Sequence, residues 1–238
     1  MANKLSDLAK AIDHSLLHPT LTDRELREGC EFARDNRLAA VSIKPYAVAM
    51  AAGILAGSGV APGAVVGFPH GNSRISVKVH EATVAIDDGA TELDAVVNIG
   101  KVLGGDWEYV ADEIGALNEA AAANGALLKL IFENDYLTRD SFKIRLCEIC
   151  SRVGAAFVKT STGYGFARQP DGSYSYRGAT EHDLKLMRKH SAPGVRLKAA
   201  GGVRTLDQLL KVLELGVTRV GLSATKAILD EARERGWG

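Results

Sequence analysis

Four places in this chain repeat one phrase, in which a helix-like stretch stops at a glycine and a short apolar run begins at once. They read Asp88-Gly89-Ala90-Thr91, Asn124-Gly125-Ala126, Val153-Gly154-Ala155-Ala156 and Leu215-Gly216-Val217-Thr218. Glycine takes the left-handed conformation that ends a helix, and the alanine- or valine-led run behind it suits a buried strand. The phrase marks one βα unit used many times. Strand character runs through Ile12–Leu17, Ala39–Ile43, Ala64–Phe68, Glu92–Ile99, Ala126–Phe132, Ala155–Val158, Val195–Ala200 and Arg219–Leu222. Between these runs lie stretches with apolar residues three and four apart, among them Thr22–Asn36, Ser73–Asp88, Asp106–Asn124, Thr138–Val153, Thr180–His190 and Leu206–Leu215. Thr22 with Glu25 three residues on is a capping-box pattern.

Eight such units in 238 residues, with no linker, point to one α/β domain over residues 1–238, a closed (β/α)8 barrel. A doubly wound open sheet is the competing architecture. It calls for a glycine-rich phosphate fingerprint after the first strand, and none follows Ile12–Leu17. Lys+Arg 29 balances Asp+Glu 29, which leaves no electrostatic footprint for nucleic acid or acidic lipid. No apolar run approaches membrane-spanning length, and no signal core follows Met1-Ala2-Asn3-Lys4. Three cysteines, Cys30, Cys147 and Cys150, form no disulfide framework, and the expectation is a cytoplasmic protein.

Barrel active sites lie at the C-terminal ends of the strands. Here those ends carry Lys44, His70, Asn98, Glu133, Lys159, Lys198 and Ser223, with Asp94 inside the fourth run. Lys159 and Lys198 each close an apolar run, on adjacent strands six and seven. A charge there is costly unless it has a task. Two ammonium groups close together in an apolar barrel are expected to depress one another's pKa and leave a neutral, nucleophilic amine. Such an amine attacks a carbonyl to form a Schiff base, an electron sink for carbon–carbon cleavage. Each residue alone has an ordinary reading: a solvated lysine, or for Asp94 a hydrogen-bonded core carboxylate. Cys147 and Cys150 lie mid-helix without a second pair, and His14 and His18 straddle a strand end, so no metal site or cofactor is expected.

Five motifs in order carry a resemblance: Ile12-Asp13-His14-Ser15-Leu16-Leu17, Val65-Val66-Gly67-Phe68-Pro69-His70-Gly71, Glu92-Leu93-Asp94-Ala95-Val96-Val97-Asn98-Ile99-Gly100, Phe157-Val158-Lys159-Thr160-Ser161-Thr162-Gly163 and Leu197-Lys198-Ala199-Ala200-Gly201-Gly202-Val203-Arg204-Thr205. Over nearly its whole length the chain resembles the deoxyribose-phosphate aldolases, metal-free class I enzymes of the DeoC type. The resemblance implies reversible cleavage of 2-deoxy-D-ribose 5-phosphate to acetaldehyde and D-glyceraldehyde 3-phosphate. It makes Lys159 the Schiff-base lysine, Lys198 the residue that perturbs its pKa and assists proton transfer, and Asp94 a member of the proton relay. It implies a substrate and phosphate site from Thr162, Gly163, Gly201, Gly202, Val203, Arg204, Gly221 and Ser223. Partners would be the small aldehyde and sugar-phosphate substrates, within a homo-oligomer, dimer or tetramer.

The chain departs from that pattern after Gly163. Tyr164 stands where some members place a basic residue near the phosphate, and a longer loop, residues 164–178, has a Pro170-Asp171-Gly172-Ser173 turn at its centre. Lys44 replaces a more usual small polar residue, and is read as either an anion-binding residue of the mouth or a solvated one. Arg204 is read as a phosphate ligand or as a helix-start residue that only caps. Two further functions stay open: the same chemistry on a different or unphosphorylated sugar, and a catalytically idle barrel that binds a ligand.

Overall fold

The computed structural model describes residues 4–238. Eight parallel strands close into a barrel: β1 (Ile12–Leu16), β2 (Ala40–Ile43), β3 (Ala61–Val66), β4 (Glu92–Val96), β5 (Leu127–Ile131), β6 (Phe157–Lys159), β9 (Arg196–Ala200) and β10 (Arg219–Leu222). β10 pairs with β1 to complete the ring, and β6 pairs directly with β9. The two remaining strands, β7 (Ala167–Arg168) and β8 (Tyr174–Ser175), form an antiparallel hairpin inside the loop that follows β6. The closed (β/α)8 barrel is therefore present, with the hairpin as an addition between its sixth and seventh strands.

The main outer helices are α2 (Asp23–Asp35), α3 (Val48–Leu55), α4 (Ile75–Asp87), α6 (Trp107–Ala122), α7 (Asp140–Val153), α8 (Glu181–His190), α9 (Leu206–Glu214) and α10 (Thr225–Glu234). Short helices α1 (Leu5–Ala9) and α5 (Ile99–Gly104) precede β1 and α6. Thr22 caps α2 through the expected box with Glu25, and Thr205 with Gln208 repeats it at α9. Gly89, Gly125, Gly154 and Gly216 all have positive φ, which explains why the repeated phrase needs glycine. The spacing of apolar residues does not single out α3, because Val-Ala-Met-Ala-Ala-Gly-Ile-Leu is apolar on every side.

Strand limits shift where the chain changes task. The fourth run stops at Val96 rather than Ile99, because Asn98 accepts the Lys101 amide and caps α5. The third lies three residues earlier at its start than its apolar residues indicate. The sixth is moved forward to end on Lys159 itself.

Barrel strands are covered on their outer face by helices, so residues pointing outward are as buried as those pointing in. Leu93, Leu128, Leu130, Val158, Leu197, Val220 and their neighbours form that outer core. The inner positions alternate with them and are largely charged: Asp13, Glu92, Asp94, Lys129, Lys159, Lys198 and Arg219. This interior is an ion-pair network in place of the usual layers of branched aliphatics.

Candidate active site

β6 and β9 set the site. In their register Lys159 lies opposite Lys198, and both side chains turn into the barrel. Thr160, the next residue on β6, donates its hydroxyl to Ala200 O and accepts the Ala200 amide, each at 3.0 Å, bracing the two lysine strands together. Asp94 projects from β4 between the amines. Its Oδ2 lies 2.6 Å from Lys159 Nζ and 2.7 Å from Lys198 Nζ. All three side chains are buried.

Beneath them runs a second charged layer. Lys198 also reaches Asp13 Oδ2 at 2.5 Å, with Ser42 Oγ at 3.4 Å. Lys129 lies 2.7 Å from the same Asp13 oxygen, 2.5 Å from Glu92 and 3.5 Å from Asp94 Oδ1. Arg219 closes the floor on Asp13 and Glu92. Asp94 Oδ1 is buried without a hydrogen-bond partner among the described residues. A charged pair out of water persists only where its geometry is nearly complete, and each layer here supplies several opposite charges.

The electrostatics follow from this stacking. Burial works to raise the Asp94 carboxyl, but Lys129, Lys159 and Lys198 outweigh it and hold the group well below the usual carboxylate range. Asp13 is lowered in the same way, against burial, by Lys129, Lys198 and Arg219. The Lys198 amine is drawn down to about 8, chiefly by burial. Asp13 and Asp94 oppose that shift, while Lys129 and Lys159 add to it. Repulsion between the two lysines, expected to be the dominant effect, is thus secondary to desolvation for Lys198. Lys129 moves the other way: burial lowers it, but Asp13, Asp94 and Glu92 raise it above an ordinary lysine.

Reading from strand ends missed Lys129, Asp13, Glu92 and Arg219 as parts of the site. Lys129 had a visible signal, a lysine in the middle of Leu127-Leu128-Lys129-Leu130-Ile131. Glu133, at the end of β5, is buried with φ +60, and burial raises its carboxyl to about 7. It accepts the Thr162 amide at 3.2 Å and the Thr162 hydroxyl. Thr162 Oγ1 in turn accepts the Tyr164 amide, so both Thr162 donors hold the loop and neither is free for a ligand.

Gly163 begins the turn beyond Thr162, at φ +86. Gly201 and Gly202 follow β9, both at φ +85, and their turn faces the hairpin loop. Buried Val203 and exposed Arg204 continue it, and the Arg204 amide is taken by Gln208 Oε1 at 2.8 Å. Gly221 sits within β10, where a Cβ would stand 3.4 Å from Ala200 Cβ and 3.6 Å from Lys198 Cε. It leaves room beside the lysine. Ser223 is exposed just past the strand. Tyr164 packs edge-on against Phe68, ring centroids 5.6 Å apart, which joins the loop after β6 to the loop after β3.

Other polar strand ends serve elsewhere. Lys44, half-buried, donates to Leu21 O at 2.8 Å and Pro19 O at 3.3 Å; it pins the loop after β1 and keeps one ammonium donor uncommitted. Beside it is a cavity of about 400 Å3 whose lining includes Leu17, Lys44, Val65 and Phe68. His14 lies against Phe32 with its Nδ1 2.9 Å from Thr225 Oγ1, outside the barrel lumen. Cys30, Cys147 and Cys150 are buried free thiols. Asp140, His182 and Asp183 cluster on the outer helices, but the Lys143 ammonium bridges Asp140 and Asp183 and supplies the positive charge there.

The DeoC/LacD family aldolase profile matches residues 8–229. A deoxyribose-phosphate aldolase of Rhodopirellula baltica is 49% identical over 229 residues, covering 96% of this chain and 90% of its own. The enzyme of that name from Caldanaerobacter subterraneus subsp. tengcongensis is 41% identical, covering 98% and 97%. Among solved structures, a tetrameric deoxyribose phosphate aldolase of Aeropyrum pernix superposes with a TM-score of 0.85 at 28% identity, over 98% of this chain and 93% of that one. No helix of the described residues is long and apolar enough to cross a membrane. With a family profile spanning most of its length and relatives matched nearly end to end, this chain belongs to the DeoC/LacD family of aldolases.

Proposed function

We propose that the chain is a Schiff-base aldolase that reversibly cleaves 2-deoxy-D-ribose 5-phosphate to acetaldehyde and D-glyceraldehyde 3-phosphate. One observation carries this reading: the amines of Lys159 and Lys198 meet on a single oxygen of buried Asp94. Lys159, whose side chain keeps a trace of exposure where Lys198 has none, attacks the aldehyde carbon of the open-chain sugar as a neutral amine. The carbinolamine loses water with a proton delivered from the Lys198 ammonium, which ionised Asp94 holds in place, leaving an iminium on Lys159. The iminium draws electrons from the adjacent C2–C3 bond. That bond breaks as the C3 hydroxyl gives up its proton, the three-carbon aldehyde leaves, and an enamine remains. Protonation of the enamine and hydrolysis of the imine release acetaldehyde and restore Lys159.

Lys198 suits the proton traffic because its pKa of about 8 makes both of its forms accessible near neutrality. Asp94 remains ionised and holds the amines in place. Gly201, Gly202 and the Arg204 guanidinium are assigned to the phosphate, with Gly163 and Ser223 on the facing sides of the mouth. A second reading, the same chemistry on an unphosphorylated sugar, is favoured by Tyr164, whose ring is committed to Phe68 where a basic side chain would attract phosphate. A cytoplasmic setting accords with the free thiols, and assembly into dimers or tetramers is proposed by analogy with the tetrameric relative.

Borohydride reduction with acetaldehyde tests the chemistry. The expected result is a mass increment on Lys159, undiminished by EDTA and absent in Lys159→Leu. No increment would leave the idle barrel, and loss on chelation would sink the metal-free mechanism. Cleavage rates of phosphorylated and free 2-deoxyribose then decide between the two substrates.

A further inference from the structure

The insertion after β6 is held at both ends by one short segment, Glu133–Tyr136, that follows β5. Glu133 takes the Thr162 amide and hydroxyl at the near end. Asp135 takes the Arg177 amide at 2.6 Å and the Gly178 amide at 3.0 Å at the far end. Tyr136 donates its hydroxyl to Phe166 O between them. Glycines let these contacts close. A Cβ on Gly165 would stand 2.6 Å from Glu133 Cδ, and one on Gly178 would stand 2.5 Å from the backbone of Gly201. Ala179 N donates to Gly201 O at 3.1 Å. The loop is thereby a fixed wall against the Gly201–Gly202 turn.

What the wall presents is Tyr176. Its ring lies beside Gly201, 3.6 Å from where a Cβ would be, and is fixed edge-on by Phe166 at 5.0 Å between centroids. Its hydroxyl accepts from Arg204 Nη2 at 3.5 Å. A phenol that accepts a hydrogen bond still has its own proton to donate, and a guanidinium has further N–H groups. Among the described residues Arg204 has no carboxylate partner, and the Gly202 and Val203 amides donate to no backbone or side-chain acceptor. Unspent donors and an unneutralised cation therefore border one turn, on the side the insertion covers.

We propose that Tyr176, delivered by the insertion, is a specificity-determining residue whose hydroxyl acts with the Arg204 guanidinium to take the terminal oxyanion of a phosphomonoester substrate. This rests on the aldolase reading above and deepens it. A basic residue is absent at Tyr164, and the insertion supplies a donor further along, beside the Gly201 turn. Planar guanidinium and a phenolic O–H suit a phosphate with several acceptor oxygens.

Kinetics of Tyr176→Phe, which keeps the ring and its packing, test the proposal. For 2-deoxyribose 5-phosphate, KM should rise about tenfold with kcat nearly unchanged, as for loss of one hydrogen bond to a charged group. Both constants for free 2-deoxyribose should be unchanged, and inhibition of free-sugar cleavage by inorganic phosphate should weaken about tenfold. An unchanged preference between the two sugars, or an equal loss on both, would overturn the proposal while borohydride trapping on Lys159 left the aldolase reading standing. A wild-type protein that neither traps acetaldehyde nor cleaves either sugar would overturn that reading first, and this proposal with it.

Discussion

Lys159 and Lys198 occupy one rung of the β6–β9 ladder and bond the same carboxylate oxygen, Asp94 Oδ2, at 2.6 and 2.7 Å. One anion therefore serves two cations, and any change at Asp94 is felt by both amines. Asp94→Asn leaves an amide oxygen that cannot balance them, with Lys129 a third cation close by. The variant should lose at least ~10²-fold in kcat, as expected for removal of a group that organises proton transfer. Its stability should fall by about 3–5 kcal/mol, as when a buried ion-pair network loses one partner. Steady-state rates and urea unfolding read the two effects separately.

The Lys198 amine provides a pH signature. With its pKa near 8, the donor form is lost as pH rises through that value, and kcat should bend downward there. Asp13 favours the ammonium, so Asp13→Asn should move the bend to lower pH. A bend that stays in place in that variant, measured on protein shown to be folded by circular dichroism, would remove Lys198 as its origin.

Lys129 touches no solvent and is bounded by Asp13, Glu92 and Asp94. Lys129→Met strips these carboxylates of a shared cation in a buried setting. Denaturant unfolding should register a loss of about 3–5 kcal/mol. A loss below 1 kcal/mol would show that Arg219 and Lys198 suffice for the same carboxylates.

Glu133 links pH to stability with the opposite sign from Asp13 and Asp94, whose carboxyls are lowered. Its folded pKa of about 7 lies above the ordinary 4.5, so the folded state holds the proton more tightly. The stability it contributes is fully present below about 4.5 and is lost as pH rises through about 7. Glu133→Gln escapes that loss, and between pH 5 and 8 it should gain on the wild type by on the order of 3 kcal/mol. Parallel stability curves for the two proteins would rule out a buried, titrating Glu133.

Much of this was legible in linear form. Glycines at 89, 125, 154 and 216 marked helix ends because left-handed backbone there disfavours other residues, and the structure finds all four at positive φ. Lys159, Lys198 and Asp94 stood out because charge in an apolar run is costly. Lys129 met the same criterion inside its strand, yet attention to strand ends passed over it. Lys44 met the end-of-strand criterion and turned out to hold two carbonyls of a neighbouring loop.

The sequence by itself determined the repeated βα unit, the closure into a barrel and the residues able to do amine chemistry. Those depend on local conformational preference and on the cost of burying charge, and both act residue by residue. Tertiary structure alone decided which charges share an oxygen, that burial outweighs lysine–lysine repulsion at Lys198, and that Glu133 and Asp135 bind the two ends of one insertion. These outcomes depend on distances between strands far apart in the chain, where a side chain's neighbours, and hence its local dielectric and charge, are set by barrel register.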